Sequence, residues 1–417
     1  MKATHELGRF YRGLSKDLKV IFVRSSIANF VVNLNPYNSI FIVALGATGT
    51  QLGLLTSLSL GLTATAAILT GWLSDRLNRK HMFLLGAFIG VLVPLTYLAA
   101  GGLYWLVPAF IFAGFADGII SPAFTAMYAN CIRNEQRGTV YGLANFFILT
   151  PMLFAGLIGG QIVNLSGGLN VPGIRPVYLV QALLLAAAFF IVYNHLGDRL
   201  PTQPKRRLSL RTMVDDYGSV LSRRGVRSWV GMKSLGSVSI GLAGPFWMLY
   251  AAVVHEASAM TIAYMVTVRS LTNILASPSA GRLTDSVGRK KMIIGGRLIM
   301  YAATAMFLLL GEYEAFLITA WVLMGLADAT GVAWQAEEAE LVNHNQRARM
   351  TAMSVAAFNL LAVPASVLGG WLWDSIGKVA PFLVMVAVDG LIRMPIIYLY
   401  VPEGKYIEHE AEPEESI

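Results

Sequence analysis

The feature that constrains this chain most is a set of about twelve apolar runs. They lie near residues 20 to 45, 51 to 73, 82 to 100, 103 to 128, 140 to 163, 176 to 195, 229 to 254, 260 to 280, 292 to 311, 314 to 336, 352 to 373 and 380 to 401. Most approach the roughly 20 residues that carry a helix across about 30 Å of hydrocarbon. None shows the alternation of a half-buried strand, and lipid gives a bare backbone N–H or C=O no partner, so the runs are expected to be helices. Composition agrees: of 417 residues, 55% are hydrophobic and 13% charged, with a mean hydropathy of +0.59. Soluble globular domains fall well short of that.

The net charge of +8 does not point to nucleic acid, because of where it sits. Lys and Arg gather before the first run, around Arg76 to Lys80, at Arg133 and Arg137, from Arg199 to Arg227, around Arg282 to Lys291, and at Arg347 and Arg349, whereas the alternate loops carry little beyond Arg175 and Lys378. The positive-inside rule makes the basic loops cytoplasmic, and twelve crossings leave both termini inside a cell membrane. The first run follows a long basic segment and should stay in place as helix 1 rather than be cleaved. Cys131 is the sole cysteine, so neither a disulfide within the chain nor a thiolate metal cluster is expected.

The charged loops also repeat. "GWLSDRLNRKH" begins at Gly71 and "GRLTDSVGRKK" at Gly281, and in each a Gly is followed by Asp (Asp75, Asp285), Arg (Arg79, Arg289) and Lys at matched spacing. The offset persists along the chain. Arg24 and Pro36 match Lys233 and Pro245; "GFAD" at Gly114 to Asp117 matches "GLAD" at Gly325 to Asp328; Gly159 and Gly160 match Gly369 and Gly370. Six spans therefore occur twice in one order and one orientation, related by a pseudo-two-fold axis along the membrane normal. The expected organisation is a six-helix bundle over 1–196, a polar linker over 197–227, a second bundle over 228–402 and an acidic tail over 403–417. The linker's later part reads as an amphipathic surface helix or as a solvated connector.

A six-plus-six repeat with a Gly-x-x-x-Asp-Arg-x-Gly-Arg-Lys loop between spans 2 and 3 resembles the major facilitator superfamily, over about residues 18 to 402. Asn78 stands where that loop prefers Gly, and Ser286 where it prefers Arg; Asn tolerates a left-handed turn better than most residues. The resemblance implies an all-α membrane protein of two bundles that rock about a central cavity, lined by spans 1, 4, 7 and 10 and flanked by 2, 5, 8 and 11. It also implies that Gly71, Asp75 and Arg79, with Gly281, Asp285 and Arg289, gate the cavity, each Asp pairing with its Arg across the turn. A plain topology anchor is the other reading of these loops.

Polar side chains at bilayer depth are costly, and so are candidates for function. Asp117 lies in a stripe with Ser121, Thr125 and Tyr128 at helical spacing, and Asp328 stands in the equivalent place above Gln335 and Glu338. Asp117, Asp328, Glu337 and Glu338 are the candidate proton carriers, since no His falls inside a span; Asp117 is the first choice, and a scaffold role for both aspartates stays open. Candidate substrate contacts are Asn33, Tyr37, Asn145, Trp247, Arg269, Asn273, Gln335 and Asn359. Arg269, at mid-span, needs either an acid such as Asp328 or an anionic substrate. Arg24 and Lys233 are expected to reach for the headgroups, and Asp389 with Arg393 to pair along one peripheral helix. Pro36 and Pro245 should kink spans 1 and 7 alike.

No loop carries metal-ligand spacing, a phosphate cradle, or a nucleophile beside a base, so neither an enzyme, a cofactor nor direct use of ATP is expected. The expected protein is a monomeric secondary transporter in the lipid bilayer, moving a small molecule, with a proton as its coupling partner. Efflux of amphipathic compounds leads and an anion carrier follows; a receptor or scaffold on the same fold is the third reading. The stretch Ala155-Gly156-Leu157-Ile158-Gly159-Gly160 lacks the Pro of the Gly-Pro-x-x-Gly-Gly motif seen in the family's antiporters, which counts against the first.

Overall fold

The described part of each apolar run is helical in the computed structural model, which describes residues 15–73, 79–130, 150–197, 218, 226–334 and 347–400. In chain order these are α1 (Lys16–Leu34, continued by Asn38–Ala44), α2 (Gly49–Leu73), α3 (Arg79–Ala99), α4 (Leu106–Asn130), α5 (Met152–Leu165) and α6 (Val171–His195). The second set is α7 (Val226–Ala243, continued by Trp247–Val253), α8 (Ala259–Val287), α9 (Arg289–Leu310), α10 (Glu314–Ala329), α11 (Arg347–Ser375) and α12 (Ala380–Val388, continued to Tyr400). Among the described residues, nine helices are individually long and apolar enough to cross a membrane.

Local chemistry sets the breaks. Ser15, Asn170 and Ser258 cap α1, α6 and α8, accepting from the N–H groups of Leu18 at 3.3 Å, Gly173 at 2.8 Å and Thr261 at 3.0 Å. Pro36 has no N–H, so α1 opens over Asn35–Tyr37, where the Asn35 amide oxygen accepts from Tyr37 N–H at 3.3 Å. Pro245 does the same in α7, which tightens to a 3₁₀ turn over Gly244–Phe246; the two kinks expected from the repeat are both present. The turn between α8 and α9 needs a left-handed residue, and Gly288 supplies it with φ +99°. Asn78, its counterpart, lies outside the described residues.

The two halves pack alike. Within each, the first helix lies against the fifth and sixth, the second against the fourth, and the third against the fourth. The halves meet along two seams, α2 with α11 and α5 with α8. Both are built on small residues. A Cβ on Gly370 would strike the Gly49 carbonyl, one on Gly53 the Ser366 carbonyl, and one on Gly160 would come within 2.5 Å of Ala263, so the backbones approach as closely as only glycine permits. The seams close the face opposite the repeated basic loops. The described part of the second bundle opens with α7 at Val226. Apart from residues 197, 218, 226 and 227, the linker lies outside the described residues, as does the tail.

Candidate functional site

Between the bundles, on the basic-loop side of the seal, lies a cavity of about 330 Å3. Val32, Asn33 and Pro36 of the broken α1, with Met152 at the start of α5, form the first-half wall; Met248, Val266, Arg269, Ser270, Asn273, Trp321 and Asp328 form the other. The walls differ in kind. The first carries one amide and no ionisable group, whereas the second holds an ion pair.

That pair is a fork. Arg269 Nε donates to Asp328 Oδ2 at 2.6 Å and a second guanidinium nitrogen donates to Oδ1 at 3.2 Å, a bidentate geometry that fixes orientation as well as charge. The guanidinium carbon also lies 5.1 Å from the Trp321 ring centre. Both charged side chains stay open to the cavity, 40% and 36% exposed. Of the two partners expected for Arg269, the structure provides the acid. One turn along α8, the Asn273 amide oxygen accepts from the Ser277 hydroxyl at 3.0 Å, and in α1 the Asn33 amide donates to the Asn29 carbonyl at 3.0 Å. Asn273 thus keeps its NH2 group, and Asn33 its oxygen, for the cavity.

Several expectations need correction. Tyr37 is fully buried and donates to the Ala259 carbonyl at 2.8 Å, joining α1 to α8 across the seam rather than touching the cavity. Trp247 packs among Phe307, Trp321 and Phe382 at centroid distances of 5.1, 6.3 and 4.7 Å, so it backs the cavity wall without lining it. Asn359 is half-buried and is not among the residues that line the cavity. Asp117 does not line it either; its side chain is exposed on α4, and the charge of Arg24 acts on it. Arg24 itself lies 4.8 Å from the Phe83 ring centre, inside the first bundle rather than at the headgroups. Gly281 has nothing within 4 Å of where a Cβ would stand, and Asp285 is exposed and unpaired with Arg289 among the described residues. The expected pairing across the α8–α9 turn is therefore not made in this conformation. Of Gly71 and Arg79 only the helical backbone is described; Asp75, Asn145, Gln335, Glu337 and Glu338 lie outside the described residues.

Two polar groupings were missed or misplaced. Asp374, at the end of α11, accepts from Gly49 N–H at 2.9 Å and from Thr50 N–H and hydroxyl, each at 2.7 Å, capping α2 across the bundle interface. Nothing in the local sequence announces a cap supplied from 325 residues away. The Asp389–Arg393 pair exists at 3.0 Å, but it is buried, and Asp389 also takes Arg297 at 2.7 Å and the Tyr301 hydroxyl at 2.5 Å. Arg393 reaches on to the Met232 carbonyl and the Trp334 ring. An arginine inside the apolar run of α9 was the available signal.

Comparison with known proteins converges on one family. The family model described as Major Facilitator Superfamily matches residues 20–254 and 234–415. Multidrug resistance protein MdtG of Salmonella schwarzengrund is 26% identical over 278 residues, 63% of this chain and 65% of that protein; the Citrobacter koseri protein of the same name matches to the same extent. The chain thus spans just under two thirds of the length of these relatives. Among solved structures, a POT family transporter in complex with a thioalcohol conjugated peptide superposes with a TM-score of 0.73 at 13% identity, covering 95% of this chain and 99% of that one. The nucleoside transporter NupG superposes with a TM-score of 0.72 at 14% identity over 92% and 98%, and the human organic anion transporter MFSD10 (TETRAN) with 0.66 at 14% over 92% and 99%. At these identities the superpositions establish the fold.

Proposed function

Since the chain belongs to the Major Facilitator Superfamily, and is thus a membrane transporter rather than an enzyme, we propose that it moves a small organic solute by alternating access, with the Arg269–Asp328 fork as the polar pole of its binding site. The fork carries this reading: the single ion pair among the cavity-lining residues stands open where the two bundles part. With the basic loops inside the cell, the sealed face is the outer one and the cavity belongs to the inward-facing state. Opening outward requires the glycine seams and the Asp374 cap to part while the loops after α2 and α8 close.

The wall chemistry favours a solute with an apolar body and one polar end. Val32, Pro36 and Met152 offer surface without charge, Met248 and Trp321 adaptable contact, and the fork and two amides the orienting groups. A lone anion would have to take Arg269 from Asp328. Protonation of Asp328 would release it, giving a proton and a substrate one shared group to compete for. Asp328 is accordingly the first-choice carrier, ahead of Asp117. The name of the MdtG relatives supports export of drug-like compounds.

A thermal-shift screen of solutes on purified protein tests the site. A ligand that stabilises the wild type should fail to stabilise Arg269→Gln and Asp328→Asn while still stabilising Asp117→Asn. Equal stabilisation of all four proteins would refute the assignment. Flux of that ligand in proteoliposomes, driven by an imposed pH gradient, tests the coupling; flux indifferent to the gradient would remove the proton.

A further inference from the structure

On the lipid-facing periphery of the second bundle, α9 and α12 leave a groove of about 390 Å3 that shares no lining residue with the central cavity. Its walls are Ile294 on α9 and Gly390, Met394, Pro395, Tyr398 and Leu399 on α12. Leu399 in its wall and Leu391 beside it are 66% and 78% exposed, so this surface is one that meets acyl chains in a bilayer. The groove has a structural cause. Pro395 cannot donate to the carbonyl four residues back, and α12 widens to a π-turn over Asp389–Arg393. Gly390, Met394 and Tyr398 then recur at a spacing of four along one face, and Gly390 adds no side chain to its floor. From Gly390 to Tyr398 the slot runs about 12 Å along the helix.

The mouth of the slot is charged. Lys290 stands one turn from Ile294 on α9, its ammonium 5.4 Å from the Tyr398 ring centre. Arg289 precedes it and Lys291, exposed, follows. An almost wholly apolar slot ending in cations at the basic-loop face matches one kind of molecule, with a hydrocarbon tail and a negative head. We infer that this seam seats one acyl chain of an anionic glycerophospholipid, with its phosphate against Lys290 and Lys291. A zwitterionic lipid offers the same tail but no net charge, so charge complementarity selects between them. The chain's tip rests at Gly390, inside the π-turn whose ends, Asp389 and Arg393, brace α12 against α9 and α7. A bound lipid therefore steadies the turn that orients that brace.

The full-length protein in mixed micelles tests this with phosphatidylglycerol against phosphatidylcholine, read by lipid retention in native mass spectrometry and by melting temperature. Phosphatidylglycerol should be retained and should raise the melting temperature above the phosphatidylcholine value. Lys290→Gln with Lys291→Gln should weaken retention by about 5-fold per lysine, whereas Lys16→Gln with Lys19→Gln, on the same face of the protein, should leave it unchanged. Ile294→Trp, which fills the slot without altering charge, should also displace the lipid. Equal loss from both lysine pairs would mean a diffuse basic surface; no preference for phosphatidylglycerol, or retention undiminished by Ile294→Trp, would equally overturn the proposal.

Discussion

Asp117 and Asp328 occupy the same place in two copies of one bundle, yet their counter-charges come from different helices. The scaffolding around them is shared. Gly114 lets α4 cross α2 against the Ser59 carbonyl, and Gly325 lets α10 cross α8 against the Arg269 carbonyl, so Ser59 and Arg269 hold equivalent crossing points, each facing a glycine three residues before the aspartate. In the second half that crossing residue is an arginine long enough to reach its acid, and the pair opens onto the cavity. In the first half it is a serine, and Asp117 is left to Arg24 on α1. Duplication thus kept the acid's position and moved its partner, which separates a site from its scaffold. The same holds at the periphery. At the repeat's offset, Leu179 and Leu183 replace Asp389 and Arg393, and the first half joins α3 to α6 through stacked Tyr97 and Tyr178, 4.9 Å apart, instead of through buried charge.

The buried charge should separate the halves most sharply. Asp389 has no exposed surface and holds two guanidiniums, so Asp389→Ala should cost about 3–5 kcal/mol, the penalty of stranding a buried charge. Leu179→Ala, at the equivalent but half-exposed position, should cost under about 1 kcal/mol. Copying the first half outright, with Asp389→Leu, Arg393→Leu and Arg297→Ala together, should recover much of the loss, because no unpaired charge remains. Melting temperatures in detergent with a fixed lipid supplement decide it; a triple variant as unstable as the single one would show that the ions matter for more than mutual neutralisation.

A smaller effect, on function rather than stability, is expected at the two aspartates. Arg269→Ser rebuilds the first half's crossing in the second, and should weaken binding of a stabilising ligand about 10-fold, the worth of a charge-assisted hydrogen bond at a half-exposed site. Arg24→Gln should leave that affinity within about 2-fold, because its aspartate lines no part of the cavity. If the two variants lose affinity equally, the halves share the site and the contrast between them fails.

The seams differ too. The α2–α11 seam carries the Asp374 cap, whereas the α5–α8 seam has the neutral Tyr37 hydroxyl on the Ala259 carbonyl. Asp374→Ala removes three accepted hydrogen bonds and should favour the outward-open form by about 1–2 kcal/mol; Tyr37→Phe removes one and should shift it by about 1 kcal/mol or less. Spin-label distances between Leu54 and Leu368 positions, reporting the width of the seam, would register the difference. Identical distributions in the wild type and Asp374→Ala would strip the cap of any gating role.

How much of this was legible beforehand follows from what each feature depends on. The twelve helices, the duplication and the kinks at Pro36 and Pro245 rest on local periodicity and on proline's missing N–H, and the sequence displays both. The Arg269–Asp328 alternative could be stated from the sequence because both residues stood conspicuously in apolar runs, but choosing it needed the crossing at Gly325. Tyr37 misled because an aromatic beside a helix break reads equally as a cavity wall or as a seam. Asp374's role gave no local sign, and Arg297, though conspicuous in its apolar run, gave none of its partner: each bond joins segments whose proximity is a product of the whole fold.

The smallest expected effect lies on the sealed face, where the halves again differ: the second bundle places His255 in the loop between α7 and α8. Its Nε2 lies 2.8 Å from the Phe307 carbonyl, and its ring packs edge-on against Tyr250 and Phe307. Burial holds the imidazole below its ordinary value of 6.5, outweighing the Phe307 carbonyl and the charge of Glu312, which favour the cation. The sign follows from linkage. The unfolded chain takes up this proton at higher pH than the folded protein does, so the loop's stability is intact above pH 6.5 and falls as pH drops below it. His255→Gln, which keeps a donor for Phe307 without the titration, should flatten the fall in melting temperature between about pH 7 and 5. A variant that melts along the same pH curve as the wild type would assign that slope to the carboxylates instead, and would leave the second half's outer loop no more pH-sensitive than the first half's.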